Sequence, residues 1–430
     1  MKIAVVGCGV SGLVAARLLQ EKHEVSLFEI EGRAGGHSHT VDVDAGPDGA
    51  SVSVDTGFIV FNRHTYPLFC NLLEHLGIRP KDSDMGFSVQ MEGSGVEYCG
   101  RGLGGLFAQR RNLLRRDHWR MLRDLMRFMK QAPRCLDGDG SETLATWLTE
   151  HGYSRAFVDT HLVPMAAAVW SADPSEVLTM PARTLFRFFD NHGFLKIRER
   201  PQWLTIPGGS RTYVQALLAD FDGESLLEQG VSTITRLAHG VRLRCTDGME
   251  RDFDEVVIAS HGDTALQLLE DPTGAESEIL GCFRFQPNEV LLHQDASILP
   301  NTKRVWSAWN YFVPERPSER ATVTYWMNRL QGLETPDPLL VTLNRSADID
   351  AAKVLRRFVY DHPVFDAEAI AAQGRHAEIS GVDRIHYCGA WWRYGFHEDG
   401  VWSAWRVART LGASGRILGQ SRGALQHAVA

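Results

Sequence analysis

The chain has 430 residues and a mass of 48.0 kDa; 44% of the residues are hydrophobic, 23% are charged, and the formal net charge is −8. This composition is typical of a folded protein and excludes a disordered or fibrous chain, and no apolar run is long enough to predict a transmembrane helix. An acidic chain without a nucleic-acid-binding motif is not expected to bind nucleic acid. Because one hydrophobic core rarely serves more than about 250–300 residues, we expect two domains.

The N-terminal residues follow the order strand, glycine-rich turn, helix and second strand. Residues 2–6 form a short apolar run, a Gly-x-Gly-x-x-Gly turn comes next, and apolar residues then recur at helical spacing. The first two glycines let a pyrophosphate approach the backbone at the helix N-terminus, and the third lets the helix pack on the strand. An acidic residue ending the second strand is placed to accept hydrogen bonds from a ribose. The pattern predicts a dinucleotide site that includes Gly7, Gly9, Ser11, Gly12 and Glu29.

A basic element with paired glycines follows this acidic residue at once. A nicotinamide enzyme has no evident use for it, whereas FAD lies extended and needs its pyrophosphate neutralised by arginine and backbone N–H groups. We therefore predict non-covalently bound FAD and no metal. The additional residues predicted to hold the cofactor are Arg33, Gly35, Gly36, His37, Thr56 and Gly57.

With these motifs the sequence resembles the flavin-containing amine oxidase superfamily. The resemblance implies an α/β fold in which a Rossmann-like FAD-binding domain of the amine oxidase type is interleaved with a substrate domain of antiparallel sheet and helical insertion. The implied FAD-binding segments are 1–62, 203–262 and 384–430, and the substrate-binding segments are 63–202 and 263–383. The resemblance also implies an adenine contact near Val231 and, late in the chain, flavin contacts from Gly389, Asp399, Gly400 and Val401.

Residues 101–134 hold ten arginines or lysines against two acidic residues, Asp117 and Asp124. Leu122, Leu125, Met126 and Met129 fall on one helical stripe and the basic residues on another. A basic amphipathic helix suits an anionic membrane surface, but it also suits a lid helix that packs its apolar face on the body. Both interpretations stay open.

The remaining segments are predicted from periodicity and turn residues. Ser210 is predicted to cap a helix that follows it, and the aromatic residues around Trp170 and Phe188 are expected in the core more often than in a pocket. Four short strands are predicted to form an antiparallel sheet, at 289–293, 305–311, 322–327 and 339–343.

Seven dispersed cysteines without a Cys-x-x-Cys pair favour reduced thiols and a cytoplasmic protein. Attachment to the cytoplasmic face of a membrane is the open alternative. Cys388 could form a covalent flavin thioether, but a small buried residue at the end of a strand is the preferred interpretation.

Four further motifs, GGHSHT, SAWNY, TYWMNRLQGL and GFHEDG, narrow the resemblance. They are similar to bacterial FAD-dependent oxidoreductases related to the flavoprotein segment that precedes the methyltransferase part of plant cyclopropane fatty acid synthases. This implies a fatty acyl chain or phospholipid as substrate and a cyclopropane synthase-like methyltransferase as a partner. Two departures speak against an amine oxidase: His37 stands where those enzymes usually have arginine, and Lys196 and Lys303 are the only candidates for a lysine near the flavin.

We therefore expect dehydrogenation of a methylated or unsaturated fatty acyl chain. His397 is the first candidate for the base and Glu398 the second, while a protonated His37 could stabilise reduced flavin. The alternative for the His-Glu-Asp run is a helix cap, which suits Asp399 best. Two other functions stay open: oxidation of an amine or polyamine, and a non-catalytic flavoprotein partner of a lipid methyltransferase.

Overall fold

A computed structural model describes residues 1–136, 142–197, 200–316 and 320–419 of the chain. The other residues lie outside this description. They include 420–430 of the predicted C-terminal FAD segment and residues 137–141, 198–199 and 317–319 of the predicted substrate segments.

The described residues contain twenty strands. In chain order they are β1 (Lys2–Val6), β2 (Glu24–Phe28), β3 (Thr40–Asp44), β4 (Ser51–Asp55), β5 (Phe61–Asn62), β6 (Lys81–Ser83), β7 (Phe87–Met91), β8 (Glu97–Cys99), β9 (Trp203–Thr205), β10 (Glu224–Leu226), β11 (Val231–Leu237), β12 (Gly240–Cys245), β13 (Glu250–Phe253), β14 (Glu255–Ile258), β15 (Phe285–His293), β16 (Trp309–Val313), β17 (Val323–Trp326), β18 (Leu340–Leu343), β19 (Val354–Pro363) and β20 (Ile385–Tyr387).

The α-helices of the same residues number sixteen, several of them one or two turns long. They are α1 (Val10–Leu19), α2 (Pro67–His75), α3 (Gly102–Leu106), α4 (Arg116–Gln131), α5 (Leu144–Glu150), α6 (Arg155–Phe157), α7 (Val163–Trp170), α8 (Pro174–Thr179), α9 (Ala182–Asn191), α10 (Arg211–Ala219), α11 (Gly262–Leu268), α12 (Gly274–Leu280), α13 (Met327–Leu330), α14 (Ala367–Gln373), α15 (His376–Ile379) and α16 (His397–Thr410). None of these helices is both long and apolar enough to cross a bilayer.

A five-stranded parallel sheet in the order β10-β2-β1-β14-β20 forms one half of the α/β fold. Its central strands are almost entirely apolar and buried, as parallel strands covered on both faces must be. The strands come from three separate stretches of the chain, 2–28, 224–258 and 385–387. Helix α1 packs beside α16, so both ends of the chain meet on this sheet.

A seven-stranded sheet in the order β19-β15-β18-β17-β16-β7-β8 forms the other half. The predicted strands at 289–293, 322–327 and 339–343 belong to it, whereas the one predicted at 305–311 begins only at Trp309 because a 3-10 turn occupies Lys303–Val305. The four predicted strands pair antiparallel with one another, as expected, and β7 joins them as a parallel neighbour of β16. The ten-residue edge strand β19 was missed, since it carries charged residues in place of an apolar run.

Helices α4 to α9 cover this sheet with a large hydrophobic core. Met121 and Phe128 of α4 are fully buried in it, and Leu122 and Leu125 pack at its edge. The apolar face of the predicted basic helix therefore rests on the body of the protein. Met126, which was assigned to the same stripe, is exposed.

The predicted helix cap at Ser210 is wrong in one respect. Helix α10 begins at the next residue, but the Ser210 side chain does not bond to a helical N–H group. Its hydroxyl and its backbone N–H both donate to Asp55 Oδ1 at 2.8 Å. The Ser210 hydroxyl therefore acts as a donor to a buried carboxyl group and not as the acceptor that a helix cap requires.

Candidate functional site

A cleft of about 590 Å³ lies between the two large sheets. One end is lined by residues that follow β1, β2, β14 and β20, at the carboxyl edge of the parallel sheet, where α/β folds bind their ligands. The other end is lined by residues of β16, β17, α7 and α9. The cleft thus has a nucleotide end and a distal end of different composition.

The glycine turn shapes the nucleotide end. Gly7 has φ +106° and a Cβ atom there would lie 3.0 Å from the Ala259 carbonyl oxygen, so the turn requires glycine. A Cβ atom on Gly9 would meet nothing within 4 Å and would project into the open space before α1. No side chain caps α1, so its first N–H groups are available to a ligand in the cleft. This cradle fits the pyrophosphate of FAD.

Glu29 and Arg33 complete the nucleotide end. The Glu29 carboxylate accepts hydrogen bonds from the N–H groups of Cys8 at 2.8 Å and Glu31 at 3.0 Å, and these bonds hold it at the cleft wall in reach of a ribose. Arg33 donates to the Gly36 carbonyl oxygen at 2.8 Å, which keeps its guanidinium in the lining. A dinucleotide site needs an acidic residue beside the ribose and an arginine beside the phosphates, and Glu29 and Arg33 provide them.

The predicted cofactor residues divide into two groups. Those in the cleft wall are Gly7, Gly9, Ser11, Glu29, Arg33, Gly35, Gly36, His37, Gly57, Val231 and Gly389. Those placed behind it are Gly12, Thr56, Asp399, Gly400 and Val401. The glycines of the second group serve packing: a Cβ atom on Gly12 would lie 1.8 Å from the Gly7 oxygen, and one on Gly400 would lie 2.7 Å from Val10.

His397 lines the cleft, with its ring stacked on Phe58 at a centroid separation of 3.5 Å. Its Nε2 atom is 2.8 Å from the Ser38 hydroxyl and 3.1 Å from the Tyr213 hydroxyl. Burial holds the pKa of His397 well below its ordinary value, so the imidazole is neutral at physiological pH. The residue therefore has a fixed orientation and one nitrogen, Nδ1, that Ser38 and Tyr213 do not contact.

Glu398 is absent from the cleft wall and lines a smaller cavity that shares Tyr394 and Phe396 with the cleft, so its role as an alternative base stays a prediction. Its two carboxyl oxygens accept hydrogen bonds from the N–H groups of Leu68 at 3.0 Å and Phe69 at 2.9 Å, in the first turn of α2. Burial raises the pKa of Glu398 to about 8, although those two N–H groups act in the opposite direction. The side chain joins α16 to α2.

Asp399 takes the capping role that the sequence favoured. Its Oδ2 atom accepts a hydrogen bond at 3.0 Å from the N–H of Phe396, the residue before α16. Arg393 approaches the same carboxylate at 3.7 Å. Asp399 thus stabilises the start of α16 without facing the cleft.

His37 lies in the cleft wall. Its ring contacts Tyr360 and His362 edge to face at 5.1 Å and 5.0 Å. Burial, together with the nearby His261 and Arg33, lowers the pKa of His37 to about 4, so the ring is neutral. Stabilisation of reduced flavin by His37 was predicted only for a protonated ring, which this burial disfavours.

The neighbours of His37 were missed by sequence reasoning. Tyr360 and His362 belong to the edge strand β19, and His261 follows β14. All three line the cleft beside His37. For Tyr360 and His362 the sequence signal is the alternation of aromatic residues in β19, which becomes informative once that strand is known to border the cleft.

The distal end is aromatic. Its lining includes Met85, Val169, Trp170, Ser171, Phe188, Phe194, Trp203, Trp309, Tyr325, Tyr394 and Phe396. Trp309 and Tyr325 face each other from adjacent strands at 5.1 Å, as the alternation of side chains along those strands allows. Trp170 and Phe188 are buried in the large hydrophobic core, as expected, and both side chains also border the cleft.

Charged groups are scarce at this distal end. Among the described residues no lysine lines the cleft: Lys196 is exposed at the surface, and Lys303 lies beside the ring of Trp306. The lining carboxylates of the described residues are Glu29, Glu31 and Asp361. The first two follow β2, and the third is close enough to His261 to influence its pKa. All three therefore belong to the nucleotide side.

Cys388 is not placed for a covalent link to a flavin. Cys388 is fully buried and is not in the cleft lining, and burial raises the pKa of its thiol to about 12. All seven cysteines are free thiols. Within the described ranges, no group of histidine, cysteine and acidic side chains is arranged to hold a metal ion.

Comparison with known proteins agrees with this geometry. Residues 10–282 match the family described as flavin containing amine oxidoreductase. A protein of Mycobacterium tuberculosis that carries the name flavin-containing monoamine oxidase AofH is 29% identical over 274 residues, which cover 60% of this chain. The chain spans only 56% of the length of that relative.

Solved structures share the fold at low sequence identity. The CLA-producing fatty acid isomerase from P. acnes superimposes with a TM-score of 0.67 at 16% identity, over 95% of this chain and 98% of its own. Wild-type putrescine oxidase bound to putrescine superimposes with a TM-score of 0.68 at 13% identity, over 96% of this chain and 99% of its own. These likenesses concern the fold alone.

Proposed function

The chain belongs to the flavin containing amine oxidoreductase family, and we propose that within it the protein dehydrogenates a fatty acyl chain. As a member of this family it is an FAD-dependent oxidoreductase. When bound, FAD supplies the hydride acceptor that such a reaction needs. The residues that would hold its phosphates and ribose are those of the glycine turn, Glu29 and Arg33.

The single observation that carries this proposal is the aromatic, uncharged distal end of the cleft. An ammonium group brought there would lose its water without gaining a carboxylate from any described lining residue, which is costly. An acyl chain gains roughly 25 cal/mol for each Å² of apolar surface that it buries. Trp309, Tyr325 and Phe188 offer such surface.

The C–H bonds of an acyl chain are barely acidic, so one hydrogen must leave as hydride and the other as a proton. We propose His397 as the proton acceptor, since it lines the cleft as a neutral imidazole. If Nε2 carries the hydrogen and donates it to the hydroxyl of Ser38 or Tyr213, the unprotonated Nδ1 is free to accept the proton from the acyl chain. A double bond or methyl branch next to the reacting carbons would weaken the C–H bond.

Two further observations support a lipid substrate. A protein named as a fatty acid isomerase has the same fold over nearly its whole length. The motifs GGHSHT and GFHEDG resemble those of flavoproteins linked to cyclopropane fatty acid synthesis. We propose that a methyltransferase of that class, acting on membrane phospholipids, produces the acyl chain that this enzyme oxidises.

The test is anaerobic reduction of the bound flavin. We expect phospholipids with unsaturated, cyclopropane or methyl-branched chains to bleach the flavin absorbance, and fully saturated straight-chain phospholipids to leave it unchanged. Mass spectrometry of the lipid should show the loss of two hydrogens per flavin reduced. Flavin that stays oxidised with every acyl lipid would refute the proposed function.

Amine oxidation is the second candidate, because the relative from Mycobacterium tuberculosis carries the name of a monoamine oxidase. A neutral amine could enter an aromatic cleft without a carboxylate partner. Release of hydrogen peroxide with primary amines or putrescine, without lipid oxidation, would establish this function instead. If neither class bleaches the flavin and lipid still binds, the protein is a non-catalytic partner in lipid modification.

A further inference from the structure

Exposed apolar side chains are concentrated in one short segment of the surface. Of the twelve large hydrophobic residues that are exposed in the described part of the chain, five lie between residues 103 and 126. Leu114 is 89% exposed, Leu103 74%, and Leu113 and Trp119 are both 49% exposed. A folded monomer does not normally present several such side chains together without a function for them.

These side chains come from three successive helical elements, which Trp119 links. The Trp119 indole N–H donates to the Leu113 carbonyl oxygen at 2.9 Å, and its ring lies 5.1 Å from that of Phe107. The Phe107 N–H in turn donates to the Leu103 carbonyl oxygen at 3.0 Å. We call this region, residues 102–120, the arginine–leucine surface.

The charge of this surface is strongly positive. Arg110, Arg111, Arg116 and Arg120 are all exposed. Within residues 102–126 the acidic residues are Asp117, paired with Arg120 at 2.9 Å, and the buried Asp124. Outside this range, the exposed Glu92 and Asp348 share a cavity with Arg111. The positive charge of this surface contrasts with the net charge of −8 for the whole chain.

The segment is fastened to the body by hydrogen bonds. Arg115 donates to the Ser94 carbonyl oxygen at 2.9 Å, and Arg111 donates to that of Gly95. Farther along α4, Arg127 donates to the His151 carbonyl oxygen at 3.1 Å. The leucines are therefore displayed outward from a fixed support and cannot be withdrawn by a small movement of α4.

We propose that the arginine–leucine surface docks the protein on an anionic bilayer, with Leu103 and Leu114 entering the boundary between headgroups and acyl chains. Arginines around exposed leucines and a tryptophan are the combination that an interfacial site requires. A second copy of the chain is a poorer occupant, because it would bring two positively charged surfaces together. Nucleic acid is also a poorer occupant, because it would place charged phosphates against the exposed leucines. The proposal concerns binding and not turnover, so it can fail while the proposed function holds.

The experiment is sedimentation of the FAD-loaded protein with vesicles of phosphatidylcholine, with and without phosphatidylserine. We expect binding only with phosphatidylserine, and weaker binding as the salt concentration rises. The charge variant is Arg110→Glu with Arg116→Glu. Its matched control, Arg79→Glu with Arg356→Glu, changes the net charge equally at exposed positions elsewhere.

The charge variant should bind at least about twentyfold more weakly, because each basic residue near the membrane contributes roughly a fivefold factor. The control pair should bind like the wild type. The apolar variant, Leu103→Gln with Leu114→Gln, should lose about tenfold or more. Its control, Met249→Gln with Val382→Gln, should lose little.

The flavin content of each variant shows that it is folded. The proposal is overturned if the wild type ignores phosphatidylserine, or if either variant binds as its control does. Sedimentation velocity supplies a separate readout: if the wild type self-associates and the leucine variant does not, while vesicle binding is equal, the surface is an interface between copies of the chain.

Discussion

Glycines of one motif perform different tasks at the residue scale. Gly12 is needed because a Cβ atom would collide with the Gly7 oxygen, whereas Gly9 has open space around its missing Cβ. The first is a packing requirement and the second leaves room for a ligand. The distinction decides which substitution tests FAD binding without disturbing the fold.

Gly9→Val should yield a folded but colourless protein. Its side chain would occupy the pyrophosphate cradle and block charge-assisted hydrogen bonds of about 1.5–3 kcal/mol each, which weakens FAD binding by at least about 100-fold. Flavin absorbance after purification measures the loss. Gly274→Val is the control, because Gly274 also has open space at a helix start and lies outside the cleft; retained flavin in Gly9→Val would show that the cradle is misassigned.

His397→Phe should separate a catalytic from a packing role. Phenylalanine can keep the stack on Phe58, and the hydroxyls of Ser38 and Tyr213, 2.5 Å apart, can bond to each other. If His397 is the base, anaerobic flavin reduction slows by about 10²–10⁴-fold while the flavin content stays normal. An unchanged reduction rate would leave His397 with a packing role alone.

Helices α2 and α16 are joined by a side chain, and this link belongs to the element scale. Glu398, in the first turn of α16, bonds to two N–H groups in the first turn of α2, more than 300 positions away. Asp399, its neighbour, bonds to the start of its own helix. One carboxylate therefore fixes the position of α16, and the other fixes its beginning.

This link predicts a pH dependence of stability. Because burial raises the pKa of Glu398 to about 8 from about 4.3 in an unfolded chain, the folded state binds the proton more tightly. The contribution of protonated Glu398 to the free energy of unfolding is complete below about pH 4. It is lost as the pH rises to about 8, by up to about 1.4 kcal/mol per pH unit.

Urea unfolding between pH 5 and pH 8 measures this slope. Glu398→Gln cannot ionise, so its slope should differ from that of the wild type by the contribution of Glu398, while buried histidines such as His37 contribute equally to both proteins. Glu150→Gln, a change of an exposed residue at the end of α5, should keep the wild-type slope. Equal slopes in the wild type and Glu398→Gln would contradict a raised pKa of Glu398 in the folded protein.

At the scale of the whole molecule, the cofactor cleft connects parts that are distant in sequence. Its walls come from the parallel sheet, the seven-stranded sheet and the helices between them. FAD bound there contacts the folded state only. Binding should therefore stabilise the entire protein and not one sheet alone.

Removal of FAD should lower the melting temperature. At free FAD one hundred times its Kd the folded state gains about 2.7 kcal/mol, and this is lost in the apoprotein. Calorimetry of the holoprotein, the apoprotein and the apoprotein with FAD restored measures the effect. Gly9→Val should melt at the same temperature with and without added FAD; an apoprotein as stable as the holoprotein would contradict the prediction.

The sequence alone was sufficient for features that depend on neighbouring residues. The glycine turn and the acidic residue after β2 follow from spacing, because β1, α1 and β2 all lie within the first 30 residues. The strand β14 follows from its own apolar run. The family follows from the same motifs. A pattern of this kind needs no information about distant parts of the chain.

Other features were decided only by the tertiary structure. The neutral state of His37, the turning of Glu398 toward α2 and the exposure of Trp170 to the cleft all depend on segments far away in sequence. The edge strand β19 escaped prediction because an exposed edge does not need an apolar pattern. Desolvation and packing act through space, so the protonation and orientation of a site residue are set by neighbours that sequence spacing does not reveal.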